Sequence, residues 1–311
     1  MKSTKLILIM LIVAGIITGC SKDNDFTEQP EKTLQSITLG SNIDVEAKPF
    51  RSLQSRLQDT QIEQNEEVSL FITETAEINE VVYNNVQLQA NGSGGFSHQQ
   101  MYYPLSGNNI DLYAVHPYLN NAELNNPINF SVVADQINNN DYLASDLLYA
   151  SKANVSRTKD AVMLNFSHKL SKFDITIIES DGADLTELNE VSILDVKPST
   201  TINLISGALG NATGSNINVI VNGIRRANED ETEVTGMSAI IVPQIIPSGV
   251  KLFKITIGNI DYFYTTNSEL TFQEGKKYNL KLTIKQTGIE LSSTIEDWTD
   301  GGTISGDGEA E

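Results

Sequence analysis

The sequence is poor in the residues on which most catalytic and metal sites depend. Its 311 residues include one cysteine, Cys20, one tryptophan, Trp298, and three histidines. A lone cysteine excludes an internal disulfide, so packing alone has to stabilise the fold. No His-x-x-x-His or His-Glu-x-x-His pattern, Gly-x-Ser-x-Gly elbow or phosphate-binding loop is present. We therefore predict that the protein is not an enzyme, with no catalytic residues, no metal and no cofactor.

Basic residues are also few. The chain has 21 lysines and arginines against 40 aspartates and glutamates, a formal net charge of −19. Binding to nucleic acid requires a cationic surface that displaces counterions from phosphate. This charge balance excludes nucleic acid and anionic lipid as partners. With 40% hydrophobic and 20% charged residues, the composition is nevertheless that of a globular chain.

The N-terminus carries the order of features expected of an export signal. Lys2 and Lys5 precede an uncharged apolar run over residues 6–17. This run is shorter than the roughly 20 residues of a membrane-spanning helix. The small residues Thr18 and Gly19 follow it, as is typical of the cleavage region of a secretory signal peptide. Residues 17–20, Ile-Thr-Gly-Cys, resemble a lipobox, in which the cysteine receives a diacylglyceryl group before cleavage. An ordinary signal peptide with a chance cysteine is the alternative.

We predict that residues 1–19 are the signal peptide, that Cys20 is lipidated, and that residues 20–35 form a linker. The acidic stretch after Cys20, residues 21–25, resembles signals that send lipoproteins to the outer face of the outer membrane. A solvated linker is the alternative reading of that stretch.

Short segments with period-two alternation dominate the rest of the chain. The clearest of them places four apolar residues on one face: Tyr278, Leu280, Leu282 and Ile284. Turns rich in asparagine and glycine separate these segments, and no long helical period occurs. This pattern predicts an all-β fold with β-sandwiches. We expect an N-terminal domain at 36–157, a C-terminal domain at 158–287, and a remainder at 288–311 that ends in an acidic tail.

Four segments carry a family resemblance. They are Asp-Leu-Leu-Tyr-Ala at 146–150, Val-x-Leu-x-Phe-x-His-Lys-Leu-Ser-Lys at 162–172, Tyr-Asn-Leu-Lys-Leu-Thr at 278–283 and Ile-Glu-Asp-Trp at 295–298. In this order they resemble the fimbrillin family, the lipoprotein-derived pilins of type V fimbriae. The resemblance implies two tandem transthyretin-like β-sandwich domains and a structural or adhesive subunit of a surface fimbria. It also implies delivery as an outer-membrane lipoprotein and, as partners, other fimbrial subunits, a processing protease and an adhesion target.

In that family an Arg- or Lys-specific protease removes the lipidated N-terminal strand, and a neighbouring subunit donates a C-terminal strand to the empty groove. Here Ile37, Leu39, Ile43 and Val45 predict a first strand, and Arg51 and Arg56 lie in the polar link after it. These two arginines are the candidate processing sites, because proteases cut exposed loops. Solvated linker charges are the alternative.

The candidate donor strand covers residues 288–304. Its apolar residues are Ile289, Leu291, Ile295, Trp298 and Ile304. The alternative is that this segment forms the last strand of its own domain.

A second functional hypothesis is a surface lipoprotein that binds glycans and assists polysaccharide uptake. Such a protein presents exposed aromatic side chains on which sugar rings stack. The single tryptophan disfavours this hypothesis, whereas Tyr102, Tyr103 and the aromatic run at 262–264 favour it.

Overall fold

The computed structural model describes residues 33–43, 61–75, 77–180, 184–223, 225–226, 232–285 and 288–298. The first elements are β1 (Leu39–Ile43), β2 (Glu67–Glu74), β3 (Glu77–Ala90), β4 (Phe96–Ser97), β5 (Ile110–His116), β6 (Ile128–Ser131), helix α1 (Asn139–Ala144), β7 (Leu148–Val155) and β8 (Val162–His168). They are followed by β9 (Ser171–Glu179), β10 (Leu188–Val196), β11 (Ser199–Ile202), β12 (Ile217–Ile220), β13 (Arg225–Arg226) and β14 (Glu233–Ile241). The last elements are β15 (Ile245–Ile246), β16 (Lys251–Ile257), β17 (Ile260–Thr265), β18 (Leu270–Thr271), β19 (Lys276–Lys285) and β20 (Gly288–Asp297).

The N-terminal half forms a seven-stranded sheet in the order β1-β8-β7-β5-β2-β3-β4. Its two ends meet, because β1 pairs with β8 and is also bridged from Gly40 to Gly95, next to β4. The sheet therefore curls around a core to which β1, β2, β3, β5, β7 and β8 all contribute buried apolar side chains. Alternating residues fill this core, as in Val68, Leu70 and Ile72 of β2.

The C-terminal half is a sandwich of two sheets. One has the order β12-β10-β16-β17 and the other the order β13-β14-β9-β19-β20. The inward residues predicted for β19, from Tyr278 to Ile284, are all buried in the core between these sheets. Phe173 of β9 lies near the centre, with edge contacts to Phe253 and Phe272 at centroid distances of 6.2 and 4.8 Å.

A third set of buried side chains, the junction cluster, joins the two halves. From the first sheet it takes outward-facing residues such as Phe71, Val115 and Tyr149, and from the second half Leu170, Ile240, Trp298 and others. Hydrogen bonds cross the same junction, since the Gln136 side chain pairs with both backbone groups of Ile240 at 2.8 and 2.9 Å. The described residues from Leu34 onward consequently belong to one compact unit.

The predicted all-β class with two sandwiches is confirmed, but the strand membership differs from the predicted boundary at 157/158. β8, assigned by that boundary to the C-terminal domain, pairs with β7 and β1 of the first sheet. The physical reason is that Val162, Leu164 and Phe166 face the N-terminal core, and the chain enters the second sandwich only at Ser171. β20, placed outside the C-terminal domain by the prediction, is the edge strand of its five-stranded sheet.

No helix in the described part of the chain is long and apolar enough to cross a membrane. The helix α1 has six residues and begins at a local cap, in which the Asn138 side chain accepts a hydrogen bond from the Asp141 amide at 2.9 Å. It contributes Tyr142 and Leu143 to the junction cluster.

Candidate functional site

The predicted first strand, β1, runs parallel to β8. Leu39 is paired with Val162 and Ile43 with Phe166, and the Val162 amide donates a hydrogen bond to the Thr38 carbonyl at 2.8 Å. These partners lie more than a hundred residues further along the chain. β1 is thus placed by tertiary pairing and not by a hairpin with its sequence neighbours.

The other edge of β1 is also hydrogen-bonded. The Ile37 amide donates to the Met101 carbonyl and the Ser41 amide to the Gly94 carbonyl, both at 2.8 Å. Because both edges are occupied, β1 fills a gap between β8 and the chain around residues 94–102. Its loss would free the backbone groups of two strand edges at once.

The inward face of β1 fills the N-terminal core. Ile37, Leu39 and Ile43 each expose 4% or less of their surface, whereas Thr38 and Asn42 face solvent. Ser41 also points inward, exposes 2%, and its hydroxyl has no hydrogen-bond partner among the described residues. Removal of this strand would leave a groove with three apolar pockets and one small pocket.

Several predicted residues lie outside the described residues. These are Cys20, Val45 of the predicted first strand, both processing candidates Arg51 and Arg56, and Ile304 of the donor segment. The chain between the end of β1 and residue 61 contains the two arginines, so both follow β1 and precede β2 in the sequence. Their roles stay predictions.

The candidate donor segment forms β20 and pairs with β19 over its whole length. The antiparallel register runs from Gly288 opposite Lys285 to Asp297 opposite Lys276. Ile289 and Leu291 are buried in the C-terminal core, and Ile295 packs against it. The structure therefore shows the segment as the last strand of its own domain, with β19 as its one ladder partner in the described part of the chain.

Trp298 follows β20 and anchors it in the junction cluster. Its indole ring lies parallel to the His168 ring, with an interplanar angle of 3° and a centroid distance of 3.7 Å. The Lys172 Nζ lies 5.6 Å from the indole centroid, and the Trp298 amide donates to the Gly275 carbonyl at 2.7 Å. With 7% of its surface exposed, this side chain holds the end of β20 against both halves.

The two buried histidines have structural roles. His168 Nδ1 lies 2.9 Å from the Asp146 carboxylate, and His116 Nδ1 lies 2.7 Å from the Asp146 carbonyl. His116 Nε2 lies 2.9 Å from the Glu66 carboxylate. Within the described ranges no group of three or more histidine, cysteine, aspartate or glutamate side chains could hold a metal ion.

Burial also governs the ionisation of tyrosines in the junction cluster. Desolvation by burial raises the pKa of Tyr149 to about 12. The same hydroxyl donates hydrogen bonds to the Leu204 and Ile205 carbonyls at 3.0 Å each. The pKa of Tyr142 is raised further, because its phenol is completely buried. Both side chains are neutral in the folded protein at physiological pH.

The aromatic residues that favoured glycan binding are largely covered. Tyr103 and Tyr264 expose 2% each, and the Lys251 Nζ lies 4.2 Å from the Phe263 ring centroid. Trp298 is stacked beneath His168. Tyr103, Tyr264 and Trp298 are therefore buried, whereas Tyr102, Tyr262 and Phe263 are half-buried.

Sequence reasoning missed the second edge of β1 and the anchor at Trp298. Alternation identified the buried face of β1, but it carries no information about which backbone lies alongside. The stacked pair His168 and Trp298 is separated by 130 residues, and no local pattern connects the two.

Comparison with known proteins places these features in a family. A family model described as fimbrillin-like matches residues 55–298. A candidate fimbrium subunit, Fim1C, of Bacteroides uniformis is 27% identical over 318 residues, which cover 97% of each chain. Crystal structures of candidate cell adhesion proteins from Bacteroides ovatus and Bacteroides uniformis are similar, with TM-scores of 0.67 and 0.61. They are 18% and 21% identical, each over 87% of this chain and 100% of the other, and show the same fold.

Proposed function

The chain belongs to the fimbrillin-like family and is a fimbrial protein of the cell surface, and we propose that it is a fibre subunit assembled by strand exchange. In this proposal the subunit reaches the surface as a lipoprotein, loses β1 to a protease, and accepts a strand from another subunit in the vacated groove. Its role is structural or adhesive and not catalytic.

The proposal rests on how β1 is held in the N-terminal sheet. The strand supplies three buried apolar side chains to the N-terminal core, yet its ladder partners are all remote in sequence. Only the link after Ile43 connects it to the rest of the domain. A single cut in that link would therefore leave β1 held by noncovalent contacts alone.

A replacement strand is the natural occupant of the resulting groove. Without β1, backbone groups on both sides of the groove would lack hydrogen-bond partners and apolar side chains would be exposed to water. An extended segment that adds to the sheet by β-augmentation would pair those groups and cover that surface. The hydrogen bonds would fix the inserted strand in place, and the pockets for alternate side chains would select its sequence.

The remaining steps rest on the sequence. Lipidation of Cys20 would tether the precursor to the outer membrane, and cleavage after Arg51 or Arg56 would separate the lipid and β1 from the subunit. A basic residue in a link between strands suits a trypsin-like protease. Replacing Cys20 with alanine should abolish labelling of the precursor by a radiolabelled fatty acid.

A disulfide between β1 and β8 tests strand departure directly. Asn42 and Asn165 are paired in register and both face solvent, so a cysteine at each position suits a disulfide across the two strands. Cells producing Asn42→Cys/Asn165→Cys should export folded protein that forms no fibre until a reductant opens the bond. The single variant Asn165→Cys, which cannot form this bond, serves as the matched control.

Fibre formation by the oxidised double variant, at the level of the control, would overturn the proposal. It would mean that β1 stays in its groove while subunits join through another surface. The extent of oxidation is measured on the same sample by thiol labelling and mass spectrometry.

A further inference from the structure

The chain contains two Asn-Gly pairs, and their side chains are held in different ways. Asn91 and Gly92 lie in the loop between β3 and β4, and Asn222 and Gly223 follow β12. In such a pair the backbone nitrogen of the glycine can attack the side-chain carbonyl carbon of the asparagine, because glycine has no Cβ atom to hinder the approach. The outcome depends on three groups: the side-chain oxygen, the side-chain nitrogen that leaves, and the glycine amide that attacks.

At Asn91 all three groups favour the attack. The side-chain oxygen accepts hydrogen bonds from the Ser93 amide at 2.8 Å and from the Gly95 amide at 3.0 Å. Two backbone donors on one carbonyl oxygen stabilise the negative charge that develops there when the carbon is attacked. Asn91 Nδ2 and the Gly92 amide have no hydrogen-bond partner among the described residues, and Asn91 is exposed to solvent.

At Asn222 the leaving nitrogen is held by hydrogen bonds. Its Nδ2 donates to the Gln136 and Ile137 carbonyls, both at 2.9 Å, and the residue exposes 8% of its surface. Loss of this nitrogen as ammonia would break both hydrogen bonds and remove a donor from each carbonyl oxygen. The pair at 222 and 223 is therefore an internal control for the pair at 91 and 92.

We propose that Asn91 is a site of spontaneous deamidation in the folded protein, and that its isoaspartate product loosens the loop at 91–95. The Gly92 nitrogen loses its proton and bonds to the Asn91 side-chain carbon. The bond from that carbon to Nδ2 breaks, and Nδ2 takes up the proton and leaves as ammonia. Water then opens the succinimide ring at either carbonyl carbon, which gives aspartate or isoaspartate. One water enters, one ammonia leaves, and nothing is oxidised or reduced.

Packing requires a glycine after Asn91. Gly92 has a φ of +71°, and a Cβ atom there would lie 2.9 Å from Gln64 Cβ and 3.2 Å from the Gln64 amide nitrogen. A larger residue would be strained by this φ and would also collide with the neighbouring backbone. The loop therefore keeps the one residue that hinders ring closure least.

Isoaspartate at 91 would change a loop that contacts β1. The Asn91 amide donates to the Gly95 carbonyl at 3.0 Å, and the Ser41 amide of β1 donates to the Gly94 carbonyl at 2.8 Å. In isoaspartate the main chain runs through the former side-chain carbon, so an additional atom displaces the rest of the loop and both hydrogen bonds should weaken. Aspartate keeps an oxygen acceptor in place, and its charge strengthens the hydrogen bonds that it accepts.

Incubation of the full-length protein tests the site. Mass spectrometry of peptic peptides detects the replacement of NH by O at each Asn-Gly pair. In the folded protein Asn91 should convert at least about tenfold faster than Asn222, which must first be released from its hydrogen bonds. The rate at Asn91 should rise with pH, because hydroxide removes the proton from the attacking amide. In guanidinium chloride, which unfolds both pairs, the two rates should become similar.

Equal protection of Asn91 and Asn222 in the folded protein would overturn the proposal, because the loop would then hold the Asn91 side chain away from the Gly92 nitrogen. Asn91→Gln is the matched variant. Its side chain is longer by one carbon and closes a ring less readily, so no conversion is expected at this position. Conversion of Asn91→Gln at the rate of the unmodified protein would contradict attack by the Gly92 amide.

Hydrogen exchange tests the consequence for the loop. In aged protein, with its isoaspartate quantified by enzymatic methylation, the β1 peptide that contains Ser41 should exchange faster than in fresh protein. Asn91→Asp, which supplies the aspartate product alone, should exchange at the rate of fresh protein. An unchanged rate in aged protein rich in isoaspartate, or a faster rate in Asn91→Asp, would overturn the assigned effect of isoaspartate.

Discussion

The strands β1 and β20 present the same inward residues, but the molecule holds them in different ways. β1 has hydrogen-bonded neighbours on both edges and lies within a closed sheet, whereas β20 is an edge strand with one ladder. β20 in turn has an aromatic anchor at Trp298, which β1 lacks. The two strands are therefore held in place by different tertiary contacts, although their inward-facing residues are the same. A cut in the link after β1 would leave that strand held by noncovalent contacts alone, whereas β20 is held by its ladder with β19, by buried Ile289 and Leu291, and by Trp298.

The largest effect is expected from a charge on the inward face of β1. Leu39→Asp buries a carboxylate in the N-terminal core and should lower the free energy of unfolding by about 4 kcal/mol or more. Thr38→Asp, one residue away on the solvent face, should change it by about 0.5 kcal/mol or less. Urea unfolding followed by circular dichroism measures both. Equal losses would show that β1 is not part of the core.

The anchor of β20 should be nearly as important. Trp298→Ala removes an indole from the junction cluster and is expected to cost about 3–5 kcal/mol. Amides of β20 should then exchange with deuterium faster, while those of β1 keep their protection. Ser292→Ala, on the exposed face of the same strand, provides the control. Unchanged exchange in β20 would mean that its ladder with β19 suffices without the anchor.

Alkaline pH should destabilise the junction cluster. The pKa of Tyr149 is raised to about 12 by burial, so its neutral form stabilises the fold. That stability is complete below pH about 10, the unfolded pKa, and is lost as pH rises towards 12. The loss should approach roughly 2–3 kcal/mol, since each pKa unit corresponds to about 1.4 kcal/mol.

Fluorescence of Trp298, the only tryptophan, reports this change at the junction. Urea unfolding at pH values from about 8 to 11 should show a falling midpoint. The fall should be smaller in Tyr149→Phe, which has no phenol to ionise. A midpoint that is independent of pH in the unmodified protein would contradict the assigned burial of the phenol.

The smallest effect on stability is expected at the serine that the inward faces of β1 and β20 have in common, Ser41 in β1 and Ser293 in β20. The Ser41 hydroxyl is buried without a hydrogen-bond partner among the described residues, so Ser41→Ala should leave stability unchanged or raise it by up to about 1 kcal/mol. Ser293→Ala, at the matching and half-buried position of β20, should change it by about 0.5 kcal/mol or less. A clear loss for Ser41→Ala would indicate a water or side chain bound to that hydroxyl.

The sequence alone predicts which side chains of a strand are buried, but it does not predict which strands pair with one another. Alternation in β19 predicted each inward residue from Tyr278 to Ile284, because the side-chain period of a strand is local. It could not assign β8 to the first sheet, since that depends on pairing with β1 more than a hundred residues earlier. The stack of Trp298 on His168 is likewise a product of tertiary packing. Resemblance to a family supplied the idea of strand exchange, and the structure supplied the setting of β1.

The most direct test of strand exchange is the N-terminal sequence of the subunits within the fibre. Fibres and monomers are separated by size from the same cell surface, and their N-termini are determined by mass spectrometry. We predict that fibre subunits begin at Ser52 or Leu57, after Arg51 or Arg56, and that monomers retain an acylated Cys20. Fibre subunits that retain residues 36–43 would contradict the account, because β1 would then still occupy the groove.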